Sequence, residues 1–290
     1  MIAIDWGTSS FRAYRLGSDG RVLDARSAPK GILAVENGKF SAVLEAQAGD
    51  WIAAGDGPVV MSGMIGSRQG WLEVPYAACP AGFEEIAAGM SKVTWDGGTA
   101  RIAPGLTCRD EAGIPDVMRG EEMQILGALS RLGPGAHMVC LPGTHSKWVE
   151  VTNGRIARFT THMTGEAFAV FKAHSILGRM MKDGATDVTA FEDGVRRSAD
   201  AGGLLHHLFG VRARGLFGEL PENASVSYLS GILVGHEIRS ARGGWSLVHL
   251  LCSVQLAEIY GLAFAVLGIE AKTLDPDSVS EGLFRLVAHL

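Results

Sequence analysis

The stretch Ile4-Asp5-Trp6-Gly7-Thr8-Ser9-Ser10 decides the reading of this chain, because it ends one strand, opens a hairpin and then recurs. An apolar strand, Met1 to Ile4, runs into it. A second strand, an Asp19-Gly20 turn and a third strand follow. In the second half the strand Met138 to Cys140 runs into Leu141-Pro142-Gly143-Thr144-His145-Ser146-Lys147, then a strand, an Asn153-Gly154 turn and another strand. Asp-Gly and Asn-Gly are strong hairpin signals, because both central turn residues favour positive φ. Gly7-Thr8-Ser9-Ser10 and Gly143-Thr144-His145-Ser146 can each present backbone N–H groups and hydroxyls to an anion. Two such loops predict a clamp for a polyphosphate.

Composition narrows the class. The 290 residues are 47% apolar and 20% charged, enough for a sizeable core. A net charge of −5 argues against a nucleic-acid surface held by bulk electrostatics. The four cysteines, Cys79, Cys108, Cys140 and Cys252, never form Cys-x-x-Cys and read as small core residues of a reducing compartment. No basic-then-apolar leader precedes Asp5, and no apolar run reaches the ~18–20 residues of a membrane span, so a cytoplasmic protein is expected.

Periodicity predicts helices over 40–54, 121–132, 165–182, 189–208, 227–241, 255–267 and 279–290. Val59 to Ser62 and Ser246 to Leu251 read as short buried strands. Pro75, Pro80, Pro104 and Pro115 mark loop-rich structure and a junction near residues 105–118. Strand-rich starts followed by helices, twice over, predict two related α/β lobes.

Three constellations carry chemistry. Asp5, at a strand end beside Gly-Thr-Ser-Ser, suits a hydrated Mg²⁺, which takes only one or two carboxylates. Leu141 stands where Asp5 does in the first copy, so the second loop offers Gly143 and Thr144 to phosphate without a carboxylate. His145 and Lys147 are its candidate counter-charges. Arg119-Gly120-Glu121-Glu122 opens a helix whose dipole keeps a carboxylate ionised and able to take an alcohol's proton. Ser62-Gly63-Met64-Ile65-Gly66-Ser67-Arg68-Gln69-Gly70-Trp71 crowds hydrogen-bond donors after a buried strand, the place for a small molecule at a strand's carboxyl end. Arg68 is its natural partner for a carboxylate.

In the order of these segments the chain resembles the actin/hexokinase/sugar-kinase superfamily. More narrowly, it resembles the 2-dehydro-3-deoxygalactonokinase family. The resemblance is carried by residues 4–12, 61–76, 119–127, 141–148, 161–166, 202–212 and 228–237. It implies a two-lobe actin-like ATPase fold of the ribonuclease H-like kind, with a duplicated mixed sheet. It also implies an ATP- and Mg²⁺-dependent kinase that phosphorylates the terminal hydroxyl of a 2-keto-3-deoxy sugar acid, giving the 6-phosphate that an aldolase cleaves.

By that resemblance the first lobe, residues 1–112, holds the first phosphate loop (Gly7, Thr8, Ser9, Ser10, Arg12, with Asp5 for the metal). It also holds the sugar-acid loop (Ser62, Gly63, Met64, Gly66, Ser67, Arg68, Trp71). The second, residues 113–290, holds the second loop (Gly143, Thr144, His145, Lys147) and an adenosine site at the turn after Leu251, where Cys252-Ser253 stands and Ser253 is the contact. Glu121 takes the place of the superfamily's catalytic Asp, with Glu122 the alternative. Two other activities share this framework: a kinase for another sugar or keto-deoxy acid, and an actin-like regulatory ATPase without a small acceptor. The donor-rich 62–71 loop argues against the second. No membrane or nucleic-acid partner is expected, and a homodimer is left open.

Overall fold

The computed structural model describes residues 1–275 and 278–290, in two compact units. The first comprises Met1–His137, Glu150–Phe159 and Asp275–Leu290; the second comprises Met138–Val149 and Thr160–Leu274.

The first unit opens with β1 (Ile2–Trp6), β2 (Phe11–Leu16) and β3 (Val22–Ala28), then α1 (Phe40–Ala53) and β4 (Val59–Ser62). After these come β5 (Ala77–Ala78), α2 (Phe83–Ala88), β6 (Ser91–Trp95), β7 (Gly98–Ile102), β8 (Leu106–Arg109), β9 (Pro115–Met118), α3 (Glu121–Gly127) and α4 (Leu129–Leu132). Its main sheet has the order β3-β2-β1-β4-β7-β6. β1 pairs antiparallel with β2 and parallel with β4, so Asp5 lies opposite Arg12 on one side and Ser62 on the other. Ile2, Ile4 and Trp6 of β1 are fully buried against Phe11, Leu44, Trp51 and Met61. A strand buried on both faces reads as a continuous apolar run, and β1 does from Ile2 to Ile4, before Asp5.

The second sheet repeats the plan. Strands β10 (Ala136–Leu141), β11 (Ser146–Thr152), β12 (Arg155–His162), β13 (Leu247–Leu251) and β14 (Glu270–Leu274) take the order β12-β11-β10-β13-β14. As with β1 and β4, β10 runs parallel to β13. The helices of the second unit are α5 (Thr164–His174), α6 (Val188–Arg197), α7 (Gly203–Leu216), α8 (Glu222–Ala241) and α9 (Val254–Leu267); α10 (Val279–Val287) returns to the first unit. Met138, Cys140, Trp148, Phe191 and Phe264 form the second unit's core.

Several expectations shift. The break expected at residue 112 falls after His137, and the last helix rejoins the first unit, because α10 packs on α3, α2, β1 and β4. Glu121 and Glu122 therefore belong to the same unit as Asp5 and the 62–71 loop. The helix expected over 189–208 is two helices, parted by Gly202 and Gly203 at φ 117° and 73°. The one over 165–182 stops at His174. Residues 77–118, read as loops from their prolines, hold five short strands, with β5-β8-β9 a sheet of their own. Asn153 and Gly154 both take positive φ, but of the first pair only Gly20 does. That hairpin closes through a longer turn, in which the Gly17 N–H donates to the Arg21 carbonyl at 2.9 Å. All four cysteines are free, and no helix among the described residues is long and apolar enough to cross a membrane.

Candidate active site

In the first unit, parallel pairing puts the ends of β1 and β4 side by side, and the loops leaving them converge. Gly63, at φ 92°, sits so tightly that a Cβ there would lie 2.8 Å from the Trp6 carbonyl and 3.2 Å from Oδ1 of Asp5. On its other side a Cβ on Gly120 would lie 3.3 Å from Gly63 Cα. Gly120 is at φ 107°, which brings the start of α3 against the loop after β4. Asp5, Gly63, Gly120 and the two glutamates thus form one cluster.

Asp5 is buried and ion-paired with Arg12 across the β1–β2 ladder. Burial raises its pKa, and Arg12 offsets part of that rise. The hydroxyl-bearing residues Thr8, Ser9 and Ser10 are exposed, while the Gly7 N–H donates to the Ser10 carbonyl at 2.9 Å. The loop therefore offers hydroxyls outward and spends the Gly7 N–H on its own turn.

The adjacent glutamates differ. Glu121 is half-buried, and its Oε2 accepts from the Arg119 N–H at 3.0 Å. Glu122 is fully buried. Its Oε2 accepts from the Gly120 N–H at 2.7 Å, and Oε1 has no hydrogen-bond partner. Burial, then the charge of Glu121, pushes the Glu122 carboxyl up to about 8, so it is largely protonated at neutral pH.

The 62–71 loop packs inward more than expected. Ser62 is fully buried, with its Oγ unpaired. Met64–Gly66 is a turn of 3₁₀ helix, and Trp71 stacks on Phe40 with ring centroids 6.3 Å apart. Ser67 buries an unpaired Oγ. Arg68 alone of the candidate set projects freely, its side chain 87% exposed and 3.5 Å from Glu73. An arginine outside that set, Arg119, is buried; its Nη2 donates to the Val74 carbonyl at 2.7 Å. The sequence reading named Arg119 only as the residue before Gly120 and gave it no role, because segments distant in sequence bury it.

In the second unit Gly143 and Thr144 meet the N-terminus of α5. The Glu166 N–H donates to the Thr144 carbonyl at 3.0 Å, and a Cβ on Gly165 would lie 2.4 Å from the Gly143 carbonyl. His145 pairs with Glu166 at 2.5 Å. Lys147 is buried and donates from Nζ to the Thr161 hydroxyl at 2.9 Å, so it braces the hairpin. Gly143 also lines a mainly apolar cavity of about 230 Å³, with Gly165, Phe168, Ser227, Leu256 and Tyr260. Ser253 is not among its lining residues; it caps α9, whose Leu256, Ile259 and Tyr260 do line the cavity.

A sheet plan used twice, each copy ending in a Gly-Thr loop, together with a carboxylate pair at a helix start, defines a kinase of the actin-like ATPase class. The activator of 2-hydroxyisocaproyl-CoA dehydratase from Clostridium difficile, solved with bound ADPNP, shares the fold at TM-score 0.50 and 14% identity, over 100% of this chain and 94% of that one. The chain belongs to the 2-keto-3-deoxy-galactonokinase family, whose model matches residues 5–286. The 2-dehydro-3-deoxygalactonokinase of Escherichia coli strain K12 is 35% identical over 291 residues, 99% of this chain and 97% of that protein. A Rhizobium meliloti strain 1021 protein assigned the same activity is 39% identical over 97% of this chain and 94% of its own. A crystal structure of a Sinorhizobium meliloti protein with that assignment matches at TM-score 0.88 and 37% identity, covering 100% of this chain and 96% of that one.

Proposed function

We propose that the protein transfers the γ-phosphoryl group of ATP to the 6-hydroxyl of 2-dehydro-3-deoxy-D-galactonate. Membership of the family carries the substrate. The observation that carries the chemistry is the convergence of Asp5, the Gly63 loop and the Gly120–Glu122 turn within one compact unit.

Each part has a role. The cavity beside Gly143 takes the adenosine, and the Gly143-Thr144 loop with the α5 N-terminus takes phosphate, as helix starts favour anions. Thr8, Ser9 and Ser10 offer phosphate their hydroxyls. Asp5 would hold Mg²⁺, since a single buried carboxylate suits an ion that takes few protein ligands, and the metal would supply charge neutralisation for the phosphates. Arg68 exchanges Glu73 for the substrate's carboxylate, a cheap exchange because exposed ion pairs contribute little. The sugar's 6-oxygen then attacks the γ-phosphorus and the bond to the bridging oxygen of ADP breaks. The hydroxyl proton passes to Glu121, the glutamate of the pair that is not fully buried.

ADP release from ATP, measured with and without the keto-deoxy acid, tests this. Turnover should depend strongly on the acid. An equal rate without any acceptor would make the protein a nucleotide-dependent regulator and sink the kinase reading.

A further inference from the structure

We propose that Arg119 is a positioning residue for phosphoryl transfer, locking the sugar-acid loop to the turn that carries Glu121. The inference rests on the kinase reading above. Arg119 holds both parties at once. Its backbone N–H donates to Oε2 of Glu121 at 3.0 Å, and its Nη2 donates to the Val74 carbonyl, at the end of the sugar-acid loop, at 2.7 Å. The guanidinium lies over the Tyr76 ring, 4.3 Å from its centroid. Two glycines make room: a Cβ on Gly66 would lie 2.8 Å from Nη1, and one on Gly105 would lie 3.0 Å from the Arg119 Cβ.

The arrangement is expensive for mere stability. Nε and Nη1 are buried without hydrogen-bond partners, and unmet buried donors carry a desolvation penalty. An apolar side chain would fill the space without it. What the guanidinium adds is a rigid planar link between loop and turn, fixed on an aromatic face. Because Nε and Nη1 are sealed from solvent, the substrate's carboxylate is left to Arg68. Positioning demands such a link: a displacement of about 1 Å between reacting groups can cost about 10²-fold in rate.

The experiment compares wild type, Arg119→Ala, Arg119→Lys and Arg68→Ala on the keto-deoxy acid and on its C1 amide. Arg119→Ala should lower kcat by about 10²-fold. It should leave KM for ATP unchanged and keep the wild-type preference for acid over amide. Arg119→Lys should recover part of kcat, since an ammonium can still donate to Val74. Arg68→Ala should instead lose the acid preference and raise KM for the acid. Near-normal kcat in Arg119→Ala overturns the proposal, and so does loss of its acid preference, which would make Arg119 the carboxylate reader. If Arg119→Ala does not fold, Tyr76→Leu removes the ring from under the guanidinium at a partly exposed site. It should lower kcat several-fold, and an unchanged kcat overturns the proposal. Absence of acid-dependent turnover in wild type would instead sink the kinase reading itself.

Discussion

Two neighbouring glutamates show how far one residue's environment outweighs its identity. Both stand in the first turn of α3, but Glu121 is only half-buried while Glu122 is sealed beneath the Gly120 turn. Sequence brought the pair to notice and could not separate them, because consecutive helical residues point to different faces and the packing that hides one comes from elsewhere. The raised pKa of Glu122 has a thermodynamic consequence. Its folded-state pKa of about 8 exceeds the ordinary 4.5, so the folded state holds the proton more tightly. The stability from this group is full below about pH 4.5 and is lost progressively as pH rises to about 8. Glu122→Gln keeps a neutral side chain at every pH. Its unfolding free energy should therefore fall less than that of wild type across that range, measured by denaturant titration at several pH values. Parallel curves would show that Glu122 is ionised in the folded protein. Glu121→Gln should lower kcat by about 10²–10⁴-fold, the usual contribution of a general base. A near-normal Glu121→Gln beside an inactive Glu122→Gln would transfer the role to Glu122.

At the scale of elements, the repeated hairpin was legible because turn chemistry is local. Asn153-Gly154 takes the backbone its residue types prefer, and β1 and β10 announce themselves as apolar runs. Residues 77–118 were not legible, since strands of two to five residues among prolines are stabilised by pairing partners rather than by any pattern of their own. The start of α5 was only half legible: Thr164-Gly165-Glu166 belonged to the family resemblance, but why Gly165 must be glycine appears only when α5 is seen resting on the Gly143-Thr144 loop. A methyl group at Gly165 would strike the Gly143 carbonyl at 2.4 Å, and backbone cannot swing aside as a side chain can. Gly165→Ala should therefore push α5 off the loop. Overpacking of this kind costs about 1–3 kcal/mol, equivalent to roughly a 5- to 150-fold rise in KM for ATP if the strain is relieved at the loop. KM for the sugar acid should not move, because the loop proposed to bind it lies in the other unit. Equal changes in both constants would mean that the substitution loosens the protein generally.

At the scale of the whole molecule, the chain's last helix is part of the machinery that its first hundred and forty residues build. Nothing in its amphipathic pattern said where it would dock; that depends on a small-residue match with a helix far away in sequence. A Cβ on Gly127 of α3 would lie 1.8 Å from the Ser278 carbonyl, and one on Gly282 of α10 would lie 2.2 Å from the Met123 carbonyl. The two backbones cross where neither helix has a side chain, and α3 is the helix whose first turn carries Glu121 and Glu122. A residue of α10 should thus influence catalysis without touching any ligand. Gly282→Ala places a methyl group where backbone already stands, so α3 must shift or the helices must part. Either route should lower the melting temperature by a few degrees, as ~1–3 kcal/mol of overpacking does in a protein of this size. Displacement of α3 adds a second signature: a fall in kcat with KM for ATP unchanged, because the cavity proposed for the nucleotide lies in the other unit. Calorimetry and steady-state kinetics on the same preparation separate the cases. A lower melting temperature with unchanged kcat would reduce α10 to a buttress, whereas a fall in both makes the last helix a determinant of where Glu121, the proposed base, sits.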